Sequence, residues 1–479
     1  MDKQILDTIF RAYDIRGRYP SELNSDFYEN LGKAYVSFFR PAKVAVGHDI
    51  RPESIEMKNS LAKGVCEMGC DVVDIGEIPT EALYFATGEY PEIFDGGLVV
   101  TASHNGAGWN GCKMVTKNAK PISGTTGLMD LKKIILENKY EKVKDENGVV
   151  STMDIMPEYK KKVLSFINSE IFKPLKIVVD AGNGIGGKVF DYMFSDLEIN
   201  NVDSSDNPKG FLNIDRMYFE PDGTYPNHVP NPMEEENVEE IKKRVVETDA
   251  DFGIAIDGDA DRAFFIDKKG RRPDGVYVGV LLAKSILNSD SDNKKIVHDP
   301  RITWPFVKEA QMLGAEVHQS MAGHSFFKAA MAEKNALFGA EASAHFYYRD
   351  FYNCDSGMVT IAQILNMYFK GFELTQAVDY LYENYPNSGE VNYRVENAIG
   401  LIHQIEEYYE KQGAIIEKID GLSVEFDDWR FNLRTSNTQP LLRINLEAKT
   451  KEKVVEKFLE VEKMIGAVRD NLPALDELR

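Results

Sequence analysis

With 479 residues, 43% of them hydrophobic and 11% aromatic, the chain can fill several apolar cores, which excludes intrinsic disorder and sets an expectation of about three or four domains. Its 56 Lys and Arg against 77 Asp and Glu leave a net charge of −21, which argues against a nucleic-acid partner or a membrane-surface role, since both need a basic face. An anionic small substrate stays open, because it feels only charges within about 8 Å at physiological salt.

Along the chain, Met1-Asp2-Lys3-Gln4-Ile5 shows no basic segment followed by an apolar stretch, so no secretory leader and a cytoplasmic location are expected. Tyr13-Asp14-Ile15-Arg16-Gly17 then sets an arginine in a glycine-bounded turn. Residues 43–46 read as a buried parallel strand leading to Asp49. Cys66 and Cys70 lie four apart on a helical stretch with no second ligand pair near them; with Cys112 and Cys354 they are expected to be buried free thiols. Residues 97–100 form a second apolar strand, which runs into Thr101-Ala102-Ser103-His104-Asn105. Adjacent side chains on an extended chain point apart, so His104 is expected to help position Ser103 rather than deprotonate it. Lys113 follows ten residues after Ser103, within reach if the loop folds back.

After a turn signal at 145–148, residues 176–180 form the strand of a second unit. The segment 182–189 nearly matches a phosphate-binding P-loop, but Val189 replaces the hydroxyl that would bind Mg²⁺, so a tight strand-to-helix turn is the favoured reading. Residues 252–256 then lead into Asp257-Gly258-Asp259-Ala260-Asp261-Arg262. On an extended chain the three alternating carboxylates share one side, where a hard divalent cation would offset their repulsion. A haloacid-dehalogenase-like phosphatase also places alternating aspartates after an apolar strand. It favours Thr or Val where Asp261 stands, and a nucleophilic Asp near the start of its domain.

A third unit begins with the strand at 295–299, after the turn at 268–270, and its later strand at 337–340 runs into Glu341-Ala342-Ser343-Ala344-His345. Three units with strands in the same order make a weak threefold repeat, and ligands gather at the carboxyl ends of such strands. The longest apolar run, around 276–283, falls far short of the roughly 20 residues that span a bilayer, so no membrane partner is expected. Beyond the break at 386–389 the repeat stops. Arg434-Thr435-Ser436-Asn437-Thr438-Gln439-Pro440, followed by Arg443, gathers guanidinium, hydroxyl and amide donors suited to a phosphate. A last amphipathic helix presents Val454, Phe458, Val461 and Ile465 on one face.

Taken together, these motifs resemble the α-D-phosphohexomutase family over almost the whole length and in family order. Residues 10–17 resemble its N-terminal signature, 101–105 its phosphoserine loop, 257–262 its metal loop, 341–345 its sugar-binding loop and 434–440 its phosphate loop. Within the family, 346–351, 354–357 and 429–434 are similar to the bacterial phosphomannomutase branch. Gly106, Ala340, Ala342 and Gln439 depart from common family choices, and Ala342 lies in the loop that reads the sugar.

The resemblance implies three similar α/β domains with mixed sheets and a smaller α+β C-terminal domain around a central cleft, here at 1–152, 153–272, 273–385 and 386–479. It implies a phosphomannomutase that interconverts mannose 6-phosphate and mannose 1-phosphate through a phosphoserine and a hexose 1,6-bisphosphate, which also serves as activator. A phosphoglucomutase or dual-specificity enzyme is the alternative; the phosphatase and a catalytically silent sugar-phosphate binder are more distant. Ser103 would carry the phosphoryl group and hold Mg²⁺ with Asp257, Asp259 and Asp261. Arg262 would stabilise charge, and Lys113 would act as general acid/base with His104 in support. Glu341, Ser343 and His345 would meet the sugar, and Arg434, Ser436, Asn437 and Thr438 the phosphate that is not reacting. Tyr13, Arg16, Arg301, Gly323, His324 and Arg443 would complete the substrate site, in a monomer or homodimer. The cations Arg16, Lys113, Arg262, Arg301, Arg434 and Arg443 are expected to form a basic pocket inside an acidic shell.

Overall fold

Short apolar runs such as Val44-Ala45-Val46 bury both faces of a strand, which favours parallel pairing with helices on either side. In the computed structural model, which describes residues 2–11, 14–169, 172–199, 210–289, 293–435 and 441–470, this run lies inside the strand Lys43–His48. The chain forms two compact units, Met1–Arg272 with His345–Phe372, and Pro273–Ala344 with Glu373–Arg479.

The first unit holds two sheets of like design. In one, Lys43–His48 pairs in parallel with Asp71–Glu77 on one side and Gly96–Val100 on the other. Trp109–Thr116 then runs antiparallel to Gly96–Val100. In the next sheet, Leu175–Asp180 takes the central place, between Leu212–Met217 and Phe252–Ile256, and Ala263–Ile266 is the antiparallel neighbour. The second unit repeats the parallel core, with Lys295–His298 between Glu316–Gln319 and Phe338–Ala340. Each repeat therefore contains a strand, between the two read from sequence, that apolar patterning alone did not reveal. The loops expected to carry function leave the carboxyl ends of Gly96–Val100, Phe252–Ile256 and Phe338–Ala340.

Residues from 387 onward form an antiparallel sheet in the order Asn387–Arg394, Leu441–Ala448, Trp429–Thr435, Leu422–Glu425, Ile415–Glu417. The helix Lys451–Ile465 buries Val454, Phe458, Val461 and Ile465 against it, the stripe expected from sequence. These sheets and helices are the mixed α/β class with an α+β end. The four cysteines are free thiols, and Cys70, Cys112 and Cys354 are buried. Among the described residues no helix is long and apolar enough to cross a membrane.

Close packing fixes several glycines. A Cβ on Gly64 of the helix Ser54–Glu67 would sit 2.0 Å from the Glu29 carbonyl oxygen on the helix Ser25–Phe39, so those helices can meet this closely only without a side chain there.

Several carboxyl groups are buried inside the first unit, and one of them is pushed far up by that burial. Glu81, on the helix Thr80–Glu89, is fully buried; it accepts from the Tyr159 hydroxyl and from the Met358 N–H at 3.3 Å. Burial pushes its carboxyl up to about 8, with the Tyr159, Ser356 and Met358 hydrogen bonds opposing. An unfolded glutamate titrates near 4.3, so the native state holds a proton that the unfolded state releases between about pH 4.3 and that raised value. Glu81 stabilises the fold at low pH and loses that contribution as pH rises through about 8. Replacing Glu81 by Gln is expected to raise the urea midpoint strongly at pH 8.5 while leaving it nearly unchanged at pH 4, below the unfolded titration. Equal shifts at the two pH values would show that Glu81 is not protonated in the native state.

Candidate active site

The three loops expected to carry function each strain their backbone at one non-glycine residue. Ser103, Ala260 and Ala344 adopt left-handed φ values of 53°, 63° and 64°, at a cost of about 1–2 kcal/mol each. In the second and third loops the same turn forms, with Ala260 N–H donating to the Asp257 carbonyl at 3.1 Å and Ala344 N–H to the Glu341 carbonyl at 3.0 Å. Sequence spacing placed the three aspartates on one side of an extended chain. The turn brings them together instead, with one ligand oxygen from each of Asp257, Asp259 and Asp261 within 4.8 Å of the others.

The left-handed turn also alters the expected Ser103–His104 relation. Adjacent side chains diverge on an extended strand, but here Ser103 Oγ lies 3.3 Å from His104 Nδ1. Arg262 Nη2 donates to the same Nδ1 at 2.7 Å, so that nitrogen carries a lone pair. Burial, followed by the charges of Arg262, Arg16 and Lys113, holds the His104 pKa well below the usual histidine range, and the ring is neutral at pH 7.

The serine loop is clamped from behind by Arg51, which sequence reading did not single out. Its buried guanidinium donates to the carbonyls of Ser103 at 3.0 Å, Asn105 at 2.7 Å and Gly106 at 3.2 Å. Asp49 accepts from its Nε at 3.0 Å and from Ser54 Oγ at 2.6 Å. In front, Arg16 donates to Asn105 Oδ1 at 2.7 Å and pairs with Asp14. The metal loop presses on the serine loop: a Cβ on Gly258 would lie 2.6 Å from the Ser103 carbonyl oxygen. Behind the metal loop lies the glycine-rich segment, a strand-to-helix turn whose Ile185 N–H donates to the Gly258 carbonyl at 3.3 Å.

Around the aspartates, Lys113 Nζ contacts Asp259 Oδ2 at 2.7 Å and Asp261 Oδ2 at 2.5 Å, and Arg262 Nε contacts Asp257 Oδ2 at 2.8 Å. Thr80 Oγ1 donates to Asp259 Oδ2 at 2.5 Å. Burial works against the Lys113 charge, but Asp259 and Asp261 raise its pKa above the usual lysine range. Burial likewise works against an ionised Asp261, yet Lys113 and His345 hold it down to about 2. Burial pushes the Asp257 carboxyl up; Arg262 opposes this, and the charges of Asp261 and Asp259 add to it. Asp259 Oδ1 and Asp261 Oδ1 are buried with no hydrogen-bond partner among the described residues. Orphaned oxygens and surplus negative charge are what a hard divalent cation satisfies, so the residues fit Mg²⁺. His345 Nε2 lies 3.9 Å from Asp261 Oδ1, and Asp355 extends the same cluster.

In the second unit, Arg301 repeats the geometry of Arg51. His48-Asp49-Ile50-Arg51 and His298-Asp299-Pro300-Arg301 have the same spacing, and Arg301 Nε donates to Asp299 Oδ2 at 2.9 Å. Arg301 then reaches Glu341 Oε2 at 3.5 Å, which also accepts Gly323 N–H at 2.9 Å. His324 begins the helix His324–Lys334 directly after Gly323, and Ser343 lies in the turn that Glu341 opens. Arg434 and Arg443 both bind Glu390, another residue not singled out from sequence. Each of the six cations expected to form a basic pocket is thus paired with at least one carboxylate. Tyr13, Ser436, Asn437, Thr438 and Gln439 lie outside the described residues.

Four family models match consecutive stretches of the chain. They are phosphoglucomutase/phosphomannomutase alpha/beta/alpha domain I at residues 7–141, domain II at 157–270, domain III at 274–385, and the C-terminal domain at 390–463. A phosphomannomutase of Escherichia coli is 40% identical over 447 residues, covering 92% of this chain and 95% of that protein. A protein of Xanthomonas campestris pv. campestris named for phosphohexose mutases is 39% identical over 443 residues, with the same coverage of 92% and 95%. A crystal structure of a phosphoglucomutase/phosphomannomutase family protein from Burkholderia thailandensis aligns with a TM-score of 0.85 at 28% identity, over 98% of this chain and 100% of that one. With that breadth of match, and with the Ser103, Asp257 and Glu341 loops each at the end of its own strand, the chain belongs to the α-D-phosphohexomutase family, a family of isomerases acting on hexose phosphates.

Proposed function

We propose that the chain is a phosphomannomutase, interconverting mannose 6-phosphate and mannose 1-phosphate through a phosphorylated Ser103 and a hexose 1,6-bisphosphate. The observation that carries this reading is the strained Ser103 turn, clamped by Arg51 and packed against the aspartate loop. Strain of that kind persists where geometry is needed for chemistry. Asp257, Asp259 and Asp261, with the Ser103 phosphoryl group, would hold Mg²⁺, which supplies Lewis-acid neutralisation of phosphoryl charge when bound.

In each half-reaction a sugar hydroxyl oxygen bonds to phosphorus as the Ser103 Oγ–P bond breaks, or the reverse. One proton moves from the sugar hydroxyl to Ser103 Oγ, and we assign that transfer to Lys113. Neutral His104 accepts hydrogen bonds and orients the serine. Arg262 offsets developing charge beside it. Glu341, Ser343, His345, Gly323 and His324 would meet the sugar; Arg434, Arg443, Ser436, Asn437 and Thr438 the distal phosphate. Arg16, Tyr13 and Arg301 complete the substrate-binding set. The proposal keeps four domains, at 1–152, 153–272, 273–385 and 386–479.

A dual mannose and glucose specificity is the second reading, favoured by the relative named for phosphohexose mutases at 39% identity. The test is a comparison of kcat/KM for mannose 1-phosphate and glucose 1-phosphate, with Mg²⁺ and trace hexose 1,6-bisphosphate. Mannose is expected to lead by about tenfold or more, corresponding to one well-made contact to the sugar. Equal values would establish dual specificity, and net release of inorganic phosphate would replace the mutase by a phosphatase.

A further inference from the structure

The C-terminal sheet sets two arginines directly opposite each other. Arg434 on Trp429–Thr435 is the antiparallel partner of Arg443 on Leu441–Ala448. Like charges in that register repel, and an anion between them is the remedy. The chain supplies one from the third strand, where Glu390 accepts from Arg434 Nη2 at 2.6 Å and from Arg443 Nη1 at 3.2 Å.

A backbone irregularity aims the carboxylate. The register of Asn387–Arg394 jumps between Asn387 and Glu390, and Gly389 adopts a φ of 64° with its N–H held by Asn387 Oδ1 at 2.7 Å. Burial alone would raise the Glu390 carboxyl, but Arg434, Arg443 and Arg301 hold it below the usual range. Glu390 thus bridges the Arg434–Arg443 pair and engages guanidinium donors of both residues.

We propose that Glu390 is a built-in place-holder anion, occupying the Arg434–Arg443 pair until a substrate phosphate displaces it, and so setting how tightly and how reversibly that phosphate is held. The inference rests on the reading of 434–440 as the phosphate loop. It answers a requirement of the proposed reaction, because a bisphosphate that must turn end over end has to leave its distal anchor and bind again. Competition from Glu390 weakens either orientation equally, and most of that weakening falls on the dissociation rate.

A merely structural clamp would behave in the opposite way, since its loss would loosen the sheet and weaken binding. Calorimetric titration of the full chain with inorganic phosphate and with mannose 1-phosphate, in the absence of Mg²⁺, separates the two. Glu390→Gln is expected to bind both about tenfold more tightly than the wild type, and in turnover to lower KM and kcat together. That gain should vanish when Arg434→Ala is added. If the Gln variant fails to fold, Glu390→Asp, with its carboxylate one methylene shorter, should still bind phosphate more tightly than the wild type. Unchanged or weaker binding by whichever variant folds overturns the place-holder role alone. Wild-type binding of mannose 1-phosphate that is indifferent to Arg434→Ala overturns the phosphate-loop reading and the inference with it.

Discussion

Replacing Ser103 by Ala is expected to lower mutase turnover by at least about 10⁴-fold, while hexose phosphate binding changes by no more than about twofold. The substitution removes one oxygen and leaves the loop's supports in place. Ser103 N–H still donates to Thr101 Oγ1, at 3.0 Å in the wild type, and the Ser103 carbonyl still accepts from Arg51. Alanine pays the same left-handed strain as serine, because both carry a Cβ. Binding and chemistry should therefore separate cleanly. The second measurement is phosphoryl transfer from labelled glucose 1,6-bisphosphate, with the modified peptide located by mass spectrometry. Wild-type protein should carry label on the peptide containing Ser103, and the Ala variant should carry none. Turnover within tenfold of the wild type, or label on another residue, would remove Ser103 as the phosphoryl carrier.

The aspartate triad was readable because its signal is local: three acidic residues alternate directly after an apolar strand, and few bland turns need that. The route by which they converge was not readable, because sequence periodicity presumes an extended chain and says nothing about Ala260 entering the left-handed region. The same presumption separated Ser103 from His104, which a left-handed serine brings to 3.3 Å. Residues acting across the sequence were harder still. Arg51 holds carbonyls 52 to 55 positions away, and Glu390 meets arginines 44 and 53 positions away. One signal for Arg51 was present. The Asp-x-Arg spacing recurs at Asp49 and Asp299, so the threefold repeat could have been carried from strands to the loops that follow them. Glu390 had no such signal, since its role depends on which strands become neighbours. Net charge also changes in meaning. Within their own units, Arg16, Lys113, Arg262, Arg301, Arg434 and Arg443 each meet a carboxylate. Substrate phosphate would enter by exchanging partners, not by filling surplus positive charge.

Arg51 should then matter as a positioning residue whose loss is felt in the chemical step. Its guanidinium is a rigid fork that reaches three carbonyls of the serine loop while Asp49 and the Tyr225 ring, 5.0 Å away, fix its orientation. A lysine keeps the charge but has no planar fork, so Arg51→Lys can satisfy Asp49 or part of the loop, not both. Displacing a reacting oxygen by about 1 Å is enough to cost about 10²-fold in rate. The expected result for Arg51→Lys is a kcat lower by about that factor with KM for mannose 1-phosphate little changed, because Arg434 and Arg443, the proposed phosphate anchors, are untouched. Arg51→Ala should in addition lower stability by about 3–5 kcal/mol, since Asp49 is left buried without its cation. Comparing the two variants separates the effects: the lysine form should melt close to the wild type and still be slow. If it is instead as fast as the wild type, the serine turn keeps its shape without the three carbonyl bonds. The strain at Ser103 would then be held by the metal loop alone, through the close approach at Gly258.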